Sequence, residues 1–337
     1  MTKSKNTGAK NGKTADLKSI ISRTAKLADT HAKGGGAPVL KRFIRQFYED
    51  SPLEDLADAR PEDLYAAAES AFNVAKQRKN GAPSIRVVTP SRGKSKGWPA
   101  GHTVIEILND DMPFLVDSIT AELERVGESP QFIIHPVIPV KRDASGKLLD
   151  VFEDDEPFFD EAEREKRGVH FESVMHVQVS KEADPDVLDR IGDTLLSVLN
   201  DVRRAVTDWA EMRRQATRIA ADFDGAPTGV TREQAAEVED FLHWLHDDHF
   251  TFLGYRCYDI ETKGKRRVLH MRREDNLGVL SKPSLIMFDG VRDGADVPPL
   301  VRRQSIWDKR ADVLRESLAH LGFQFRRRFC GVASAVV

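Results

Sequence analysis

The stretch ILNDDMPFLVDSITAELERVG, residues 107–127, sets an apolar run against two acids and then a proline-led amphipathic segment. Its polar groups with chemistry to offer are Asn109, Asp110, Asp111 and Asp117. A helix leaves its first N–H groups without internal partners, so Asp110 or Asp111 would accept from them, and Pro113 suits a first turn where a missing N–H costs little. The same geometry offers a place for a ligand. Two carboxylates repel an anion and suit the ammonium group of a small molecule. Capping is the simpler reading, and an effector contact through Asn109, Asp110, Asp111 and Asp117 stays open beside it. Catalysis has less support, because no His, Ser or Cys stands in a fixed relation that would make these acids a proton relay.

Other residues invite chemistry and lose it on inspection. His243, His246 and His249 in FLHWLHDDHF suggest a metal cluster, with Asp247 and Asp248 as further ligands. On a helix His243 and His246 share a face, whereas His249 falls well round the cylinder, and no HExxH pattern is present. They read as structural or solvent-facing histidines. RGKS at 92–95 lacks the first glycine of a phosphate cradle, since Val88 stands there. GGG at 34–36 follows no strand and has no GxGxxG spacing, so a dinucleotide fold is unsupported. IIHPVIPV lacks the paired aromatics of an RNA-stacking sheet, and His135 and His176 read as core or edge residues of strands. Cys257 and Cys330 make neither a disulfide framework nor a metal knuckle, which suits a reducing compartment.

These candidates need elements to hold them. LKRFIRQFYED and PEDLYAAAESAFNVAKQRKN have helical spacing, and GAPSIRVVTPSRGKSKGWPAG is a connector with one edge-strand candidate in IRVV. From 102 onward HTVIEIL is strand-like, PFLVDSITAELERVG helical, QFIIHPVIPVKRD alternating and FESVMHVQV a third strand, before a long helix from Pro185 to Phe223. Strand, helix, strand, strand, helix is the order of a split βαβ sandwich: an antiparallel sheet with two helices on one face, its fourth strand expected from further along. GAPTGVT breaks the long helix, and Thr231 is placed to cap the next one. TFLGYRCYDI and RRVLHMRR form a hairpin pattern, and LGVL and PSLIMF continue the strand character. The fold class is therefore α+β, a βαββαβ sandwich preceded by a helical segment and followed by a second, incomplete α+β unit.

Charge and composition set the outer limits. No apolar stretch approaches the roughly 18–20 residues that span a bilayer, and the Lys-rich start lacks a secretory apolar segment, so a cytoplasmic protein with no membrane partner is expected. The net charge of −3 gives the whole molecule no pull toward nucleic acid. Residues 1–46 nonetheless carry eleven Lys/Arg against Asp16 and Asp29, on a background that suggests a solvated flexible leader. Residues 150–165 are the acidic counterpart, with a spacing that matches no calcium loop.

HTVIEILNDDMPFLVDSITAELERVG, IIHPVIPVKRD, ESVMHVQV and FLHWLHDDHFTFLGYR together resemble the N-terminal region of the large bacterial NAD-specific glutamate dehydrogenases, from roughly residue 40 to residue 290. The resemblance implies ACT-type, ferredoxin-like domains that bind amino acids and assemble by sheet or helix pairing. It implies a regulatory or assembly region, with partners in a homo-oligomer or in the catalytic region of the same enzyme and an amino acid as effector. NAD belongs to the full-length family. No cofactor, metal or catalytic residue carries over to this chain. The organisation expected is a flexible basic leader at 1–38, a helical segment and connector at 39–100, an ACT-like domain at 101–224, the start of a second at 225–300, and an atypical tail at 301–337. QFRRRFCGVASAVV departs from the family pattern, and a truncated or frame-shifted end is the expectation there.

Overall fold

A computed structural model describes residues 7–32, 36–90, 101–153, 161–221, 231–264, 266–282, 321–325 and 328–335. The chain falls into two units, Met1–Asn200 and Asp201–Val337. The first begins with helices α1 (Thr7–Lys26) and α2 (Ala28–His31), then α3 (Ala37–Tyr48), α4 (Leu53–Leu56) and α5 (Pro61–Ala75). The expected leader is thus corrected. Ile20, Ile21, Ala25 and Ala28 are buried in one core with Leu40, Phe43, Ile44 and Phe47 of α3. Its high lysine content masks a short apolar stripe, and a stripe with something to pack on folds.

The sheet of this unit is wholly antiparallel. Its strands are β1 (Ser84–Val88), β2 (Thr103–Asp110), β3 (Phe132–Ile134), β4 (Val137–Arg142), β5 (Leu148–Val151) and β6 (Val169–Val179). Helix α6 (Leu115–Arg125) follows β2, the short α7 (Glu161–Arg167) precedes β6, and α8 (Pro185–Ala221) follows it, its residues to Asn200 belonging to this unit. The order across the sheet is β1-β2-β6-β4-β5, with β3 also on β6. The fourth strand beside β2 was expected from downstream. It comes from upstream instead: IRVV pairs in register with β2, Ile85 with Ile107 and Val87 with Ile105. The helical segment at 39–100 is therefore no separate body, and a boundary at 101 would cut this sheet.

Alternation along β2 and β6 assigns the two faces. Leu108, Val174, Ile134, Ile138 and Val140 share a core with α1, α3 and α5. The intervening Ile105, Ile107, Met175 and Val177 are just as buried. They face the other way, and Leu115, Ile119 and Leu123 of α6 and Ile191, Leu195 and Leu199 of α8 are buried outside that core. Gly192 of α8 lies so near β1 that an added Cβ would meet Val87 at 3.6 Å. Helices therefore lie on both faces: α8, one of the two helices of the sandwich pattern, on this one, and α1, α3 and α5 of the N-terminal segment on the other. This explains why β2 has seven consecutive buried residues where one-sided packing would leave alternate positions wet.

In the second unit the end of α8 packs with α9 (Arg232–Trp244) and the long strand β7 (Thr251–Lys263), around Met212, Ala216, Val238, Leu242, Phe252 and Tyr255. Thr231 caps α9 as expected: its side chain accepts from the Gln234 N–H, and the Gln234 side chain accepts from the Thr231 N–H. A single π-helical turn, Leu245–His249, joins α9 to β7. Strand β8 (Arg266–Met271) forms the expected hairpin with β7, turning through Gly264 at φ +63°. LGVL supplies only the two-residue strand β9 (Leu277–Gly278) and a 3₁₀ turn, while PSLIMF lies outside the described residues. Strands β10 (Leu321–Phe325) and β11 (Arg328–Ala335) complete the order β10-β11-β7-β8. The tail was expected to lack a closing element, and these strands correct that: backbone pairing along β7 accepts the small residues of GVASA as readily as larger ones. No helix among the described residues is long and apolar enough to cross a membrane.

Candidate functional site at the end of the central strand

The acids of the opening motif are parted by the sheet itself. Asn109 and Asp110 are the last residues of β2, so they point to opposite faces. Asn109 is buried on the α6–α8 face, opposite Ser173 of β6. Asp110 lies opposite Glu172 on the other face, where the Arg78 Nη2 donates to Asp110 Oδ1 at 2.6 Å. Asp111 extends the pairing by one N–H, donated to the Phe171 carbonyl at 3.1 Å, and its side chain is exposed. Asp117 is exposed in the first turn of α6. Asn109 and Asp111 therefore stand at the strand end and Asp117 in the first turn of the helix that follows, and Asp110 departs from them toward Arg78.

Neither aspartate caps the helix. The N-cap of α6 is Phe114, which makes no side-chain cap bond, and Pro113 precedes the first turn. The cause is local backbone: Phe114 takes φ +69°, the only positive φ of a non-glycine residue among the described residues, and this turns the chain before the aspartates reach the free N–H groups. A left-handed conformation costs a bulky residue about 1–2 kcal/mol. Such strain persists where surrounding structure imposes it, and it clusters at ligand clamps and switches. Phe114 is also 38 % exposed, an aromatic ring held at the mouth of the turn.

His135, between β3 and β4, completes this corner. Its Nε2 and the Ser173 Oγ lie 2.6 Å apart. Burial holds the imidazole below its ordinary value, and the Asp111 charge opposes that only in part, so the ring is neutral at pH 7. The corner thus offers two exposed carboxylates, a neutral imidazole and the uncapped N–H groups of α6. Carboxylates can hold an ammonium group, and helix N–H groups can accept a carboxylate.

Behind β2 the chemistry is structural. Glu172 is held by two guanidinium groups: Arg142 donates Nε to Oε1 at 2.6 Å and Nη2 to Oε2 at 2.7 Å, and Arg78 donates Nη2 to Oε1 at 2.8 Å. Arg142 Nη1 also reaches the Ala75 and Gly146 carbonyls at 2.8 and 2.9 Å, and Arg78 Nη1 reaches the Ala82 carbonyl at 2.9 Å. With Asp110 the cluster balances two positive and two negative groups, as a buried network must. Sequence reading missed it, yet a signal existed: Glu106 in VIEIL and Glu172 in FESV are carboxylates inside apolar strands, which demands buried partners. Glu106 is fully buried and takes Arg86 from the neighbouring β1.

The histidines of the second unit are each engaged separately. His246 Nδ1 lies 3.2 Å from Thr217 Oγ1, His249 stacks on Trp244, and His243 lies 3.9 Å from Glu239. His176 is buried against Phe47 in the first unit. RGKS lies outside the described residues.

Residues 43–195 match the family described as glutamate dehydrogenase, ACT1 domain. The matched stretch is similar to that ACT1 domain. It runs from α3 into α8 and contains the whole sheet and the corner around Phe114. The chain is 37 % identical over 238 residues to an NAD-specific glutamate dehydrogenase of Halomonas elongata, covering 70 % of this chain and 14 % of that protein. It is 32 % identical over 240 residues to the enzyme of the same name from Pseudomonas aeruginosa, covering 71 % and 14 %. The Mycobacterium tuberculosis enzyme is 30 % identical over 163 residues, covering 47 % and 10 %. The chain therefore spans about one seventh of the length of the first two relatives. Both sheets are antiparallel throughout, whereas a doubly wound dinucleotide crevice opens between parallel strands.

Proposed function

We propose that this chain is the N-terminal regulatory and assembly region of a large NAD-dependent glutamate dehydrogenase, an enzyme that converts glutamate to 2-oxoglutarate and ammonia in the cytoplasm. The catalytic residues and the NAD site belong to the remainder of that enzyme. The observation that supports this most is the ACT1 match over residues 43–195, because it coincides with a doubly covered sheet whose buried charges are consumed internally. The corner formed by Asn109, Asp111, Asp117, Phe114 and His135 is the effector contact in this reading, with an amino acid as ligand. Its ammonium group would meet Asp111 and Asp117, and its carboxylate the start of α6. Asp110 serves the Arg78 network instead. The second unit is the start of a second ACT-type domain, and the partners are further copies of the chain or the catalytic region.

Calorimetry with glutamate and other amino acids tests this on the chain alone, beside a coupled assay for NADH. Saturable amino-acid binding that weakens at least tenfold in Asp111→Asn/Asp117→Asn, with no NADH formed, is expected. NADH formation by the chain would overturn it. A second reading, from the same exposed corner, is a free-standing amino-acid sensor or oligomerisation module. Light scattering that shows assembly with no amino-acid response would favour the purely assembling form.

A further inference from the structure

The dipeptide Asn-Gly occurs twice in the chain, at 11–12 and at 80–81, and the fold treats the two copies differently. Asn11 and Gly12 lie inside α1, where helical backbone commits the Gly12 N–H to a carbonyl four residues back. Asn80 and Gly81 are instead the middle of a four-residue turn, closed by the Ala82 N–H donating to the Lys79 carbonyl at 3.0 Å. Gly81 stands at φ +74° and Asn80 keeps a negative φ, so the turn is of type II. Asn80 is exposed, and no hydrogen bond joins it or the Gly81 N–H to another of the described residues. A Cβ built on Gly81 would meet nothing within 4 Å. The turn also closes a loop of consequence. The Arg78 N–H donates to the Gly146 carbonyl at 3.0 Å, and the Arg78 Nη1 to the Ala82 carbonyl at 2.9 Å, across the turn. Arg78 is the 3 % exposed guanidinium that holds Glu172.

We propose that Asn80 is a site of spontaneous deamidation, converted in the folded chain to isoaspartate. The Gly81 nitrogen loses its proton and attacks the side-chain carbonyl carbon of Asn80. A C–N bond forms, the bond from that carbon to the amide nitrogen breaks, and ammonia leaves with the proton. A five-membered succinimide remains. Water added at its side-chain carbonyl returns an ordinary aspartate, whereas water added at its main-chain carbonyl leaves the chain running through the side chain, as isoaspartate. The balance is one water in and one ammonia out, with no electron transferred. Ring closure takes a rotation about the Asn80 Cα–C bond, out of the extended conformation of a type II turn. A following glycine, with no side chain, gives that rotation room, and nothing packed on the turn resists it. In α1 the helix has to open first. Isoaspartate inserts a methylene into the backbone and a carboxylate into the turn. Because the bond from Arg78 to Ala82 spans this stretch, the change loosens one anchor of the buried guanidinium pair from the surface.

The test holds the full chain at mildly alkaline pH and physiological temperature, beside a sample unfolded in guanidinium chloride, and maps both as peptides after digestion at mildly acid pH. In the folded chain the Asn80 peptide should gain the mass difference between amide and acid well before the Asn11 peptide does, with isoaspartate in excess over aspartate. It should also accept a methyl group from an isoaspartyl methyltransferase. Unfolding should bring the two rates together. Asn80→Gln should remove the signal at this position, since closure then needs a six-membered ring. The deamidated fraction from ion exchange should unfold at a lower guanidinium midpoint than the unmodified chain, while Asn80→Asp, which has the charge without the added methylene, keeps the original midpoint. An Asn80 amide that lasts as long as the one at Asn11 in the folded chain, or a deamidated fraction as stable as the unmodified chain, would overturn the proposal.

Discussion

Arg142 holds Glu172 through two parallel hydrogen bonds, Nε to Oε1 at 2.6 Å and Nη2 to Oε2 at 2.7 Å, with both side chains 1 % exposed. Removing one member strands the others: Glu172→Ala leaves two guanidinium groups facing each other with only Asp110 to answer them. Loss of one partner of a buried pair costs about 3–5 kcal/mol. Urea denaturation of the first unit should show a loss of that size, and a loss below about 1 kcal/mol would mean that the cluster is wet and weak.

Gly146 supports the same cluster from its turn. It sits at φ +88°, and a Cβ there would stand 2.1 Å from the Arg78 carbonyl oxygen. Its own carbonyl accepts from the Arg78 N–H and from Arg142 Nη1. Backbone strain and overpacking act together in Gly146→Ala, and the expected destabilisation is about 2–4 kcal/mol. The surface glycine Gly81, at φ +74° with nothing near a built Cβ, carries only the strain. Thermal melts of the two alanine variants should therefore rank Gly146 well below Gly81.

Glu106 and His176 face each other across β2 and β6, and their ionisations act on stability with opposite signs. Burial, reinforced by Arg86, lowers His176 from 6.5 to about 4. Between those values the unfolded chain binds more protons, so this contribution is complete above about 6.5 and is lost as pH falls toward about 4. Burial pushes the Glu106 carboxyl above its usual range despite Ser70 and Arg86. Its contribution is present at low pH and is lost as pH rises through that raised value. His176→Gln should isolate the second slope. The stability of the wild type relative to this variant should shift by about 3 kcal/mol between neutral pH and about pH 4. A pH-independent difference would show that His176 is hydrated.

Legibility followed the range of the interaction. Helix α6, the β7–β8 hairpin and the Thr231 cap were all readable, because each depends on residues within a few positions of one another. The edge strand was read only as a candidate in a connector, since IRVV is short and flanked by Pro and Gly, and its pairing with β2 was settled by the sheet. The strand-end corner was half readable. Asn109 and Asp111 stand at the strand end and Asp117 in the first turn of α6, but a period of two sends Asp110 to the face where Arg78 waits thirty-two residues upstream. The left-handed turn at Phe114 was beyond reach, because nothing in NDDMPFL asks a phenylalanine to adopt it.

Thr231 offers the sharpest test in the second unit, where the cap is local and its removal leaves the core untouched. Its hydroxyl accepts from the Gln234 N–H at 3.2 Å, and the Gln234 Oε1 accepts from the Thr231 N–H at 3.0 Å. Thr231→Ala opens one half of this reciprocal pair at the start of α9, whose buried Ala235, Val238 and Leu242 pack in the core shared with β7. The expected loss is about 1 kcal/mol, read as faster amide exchange in the first turn of α9 and a small fall in the urea midpoint. Thr231→Asp keeps an acceptor at the cap and adds a charge favourable to the helix N-terminus, so it should recover the loss. If both substitutions are silent, α9 is held by its packed face alone.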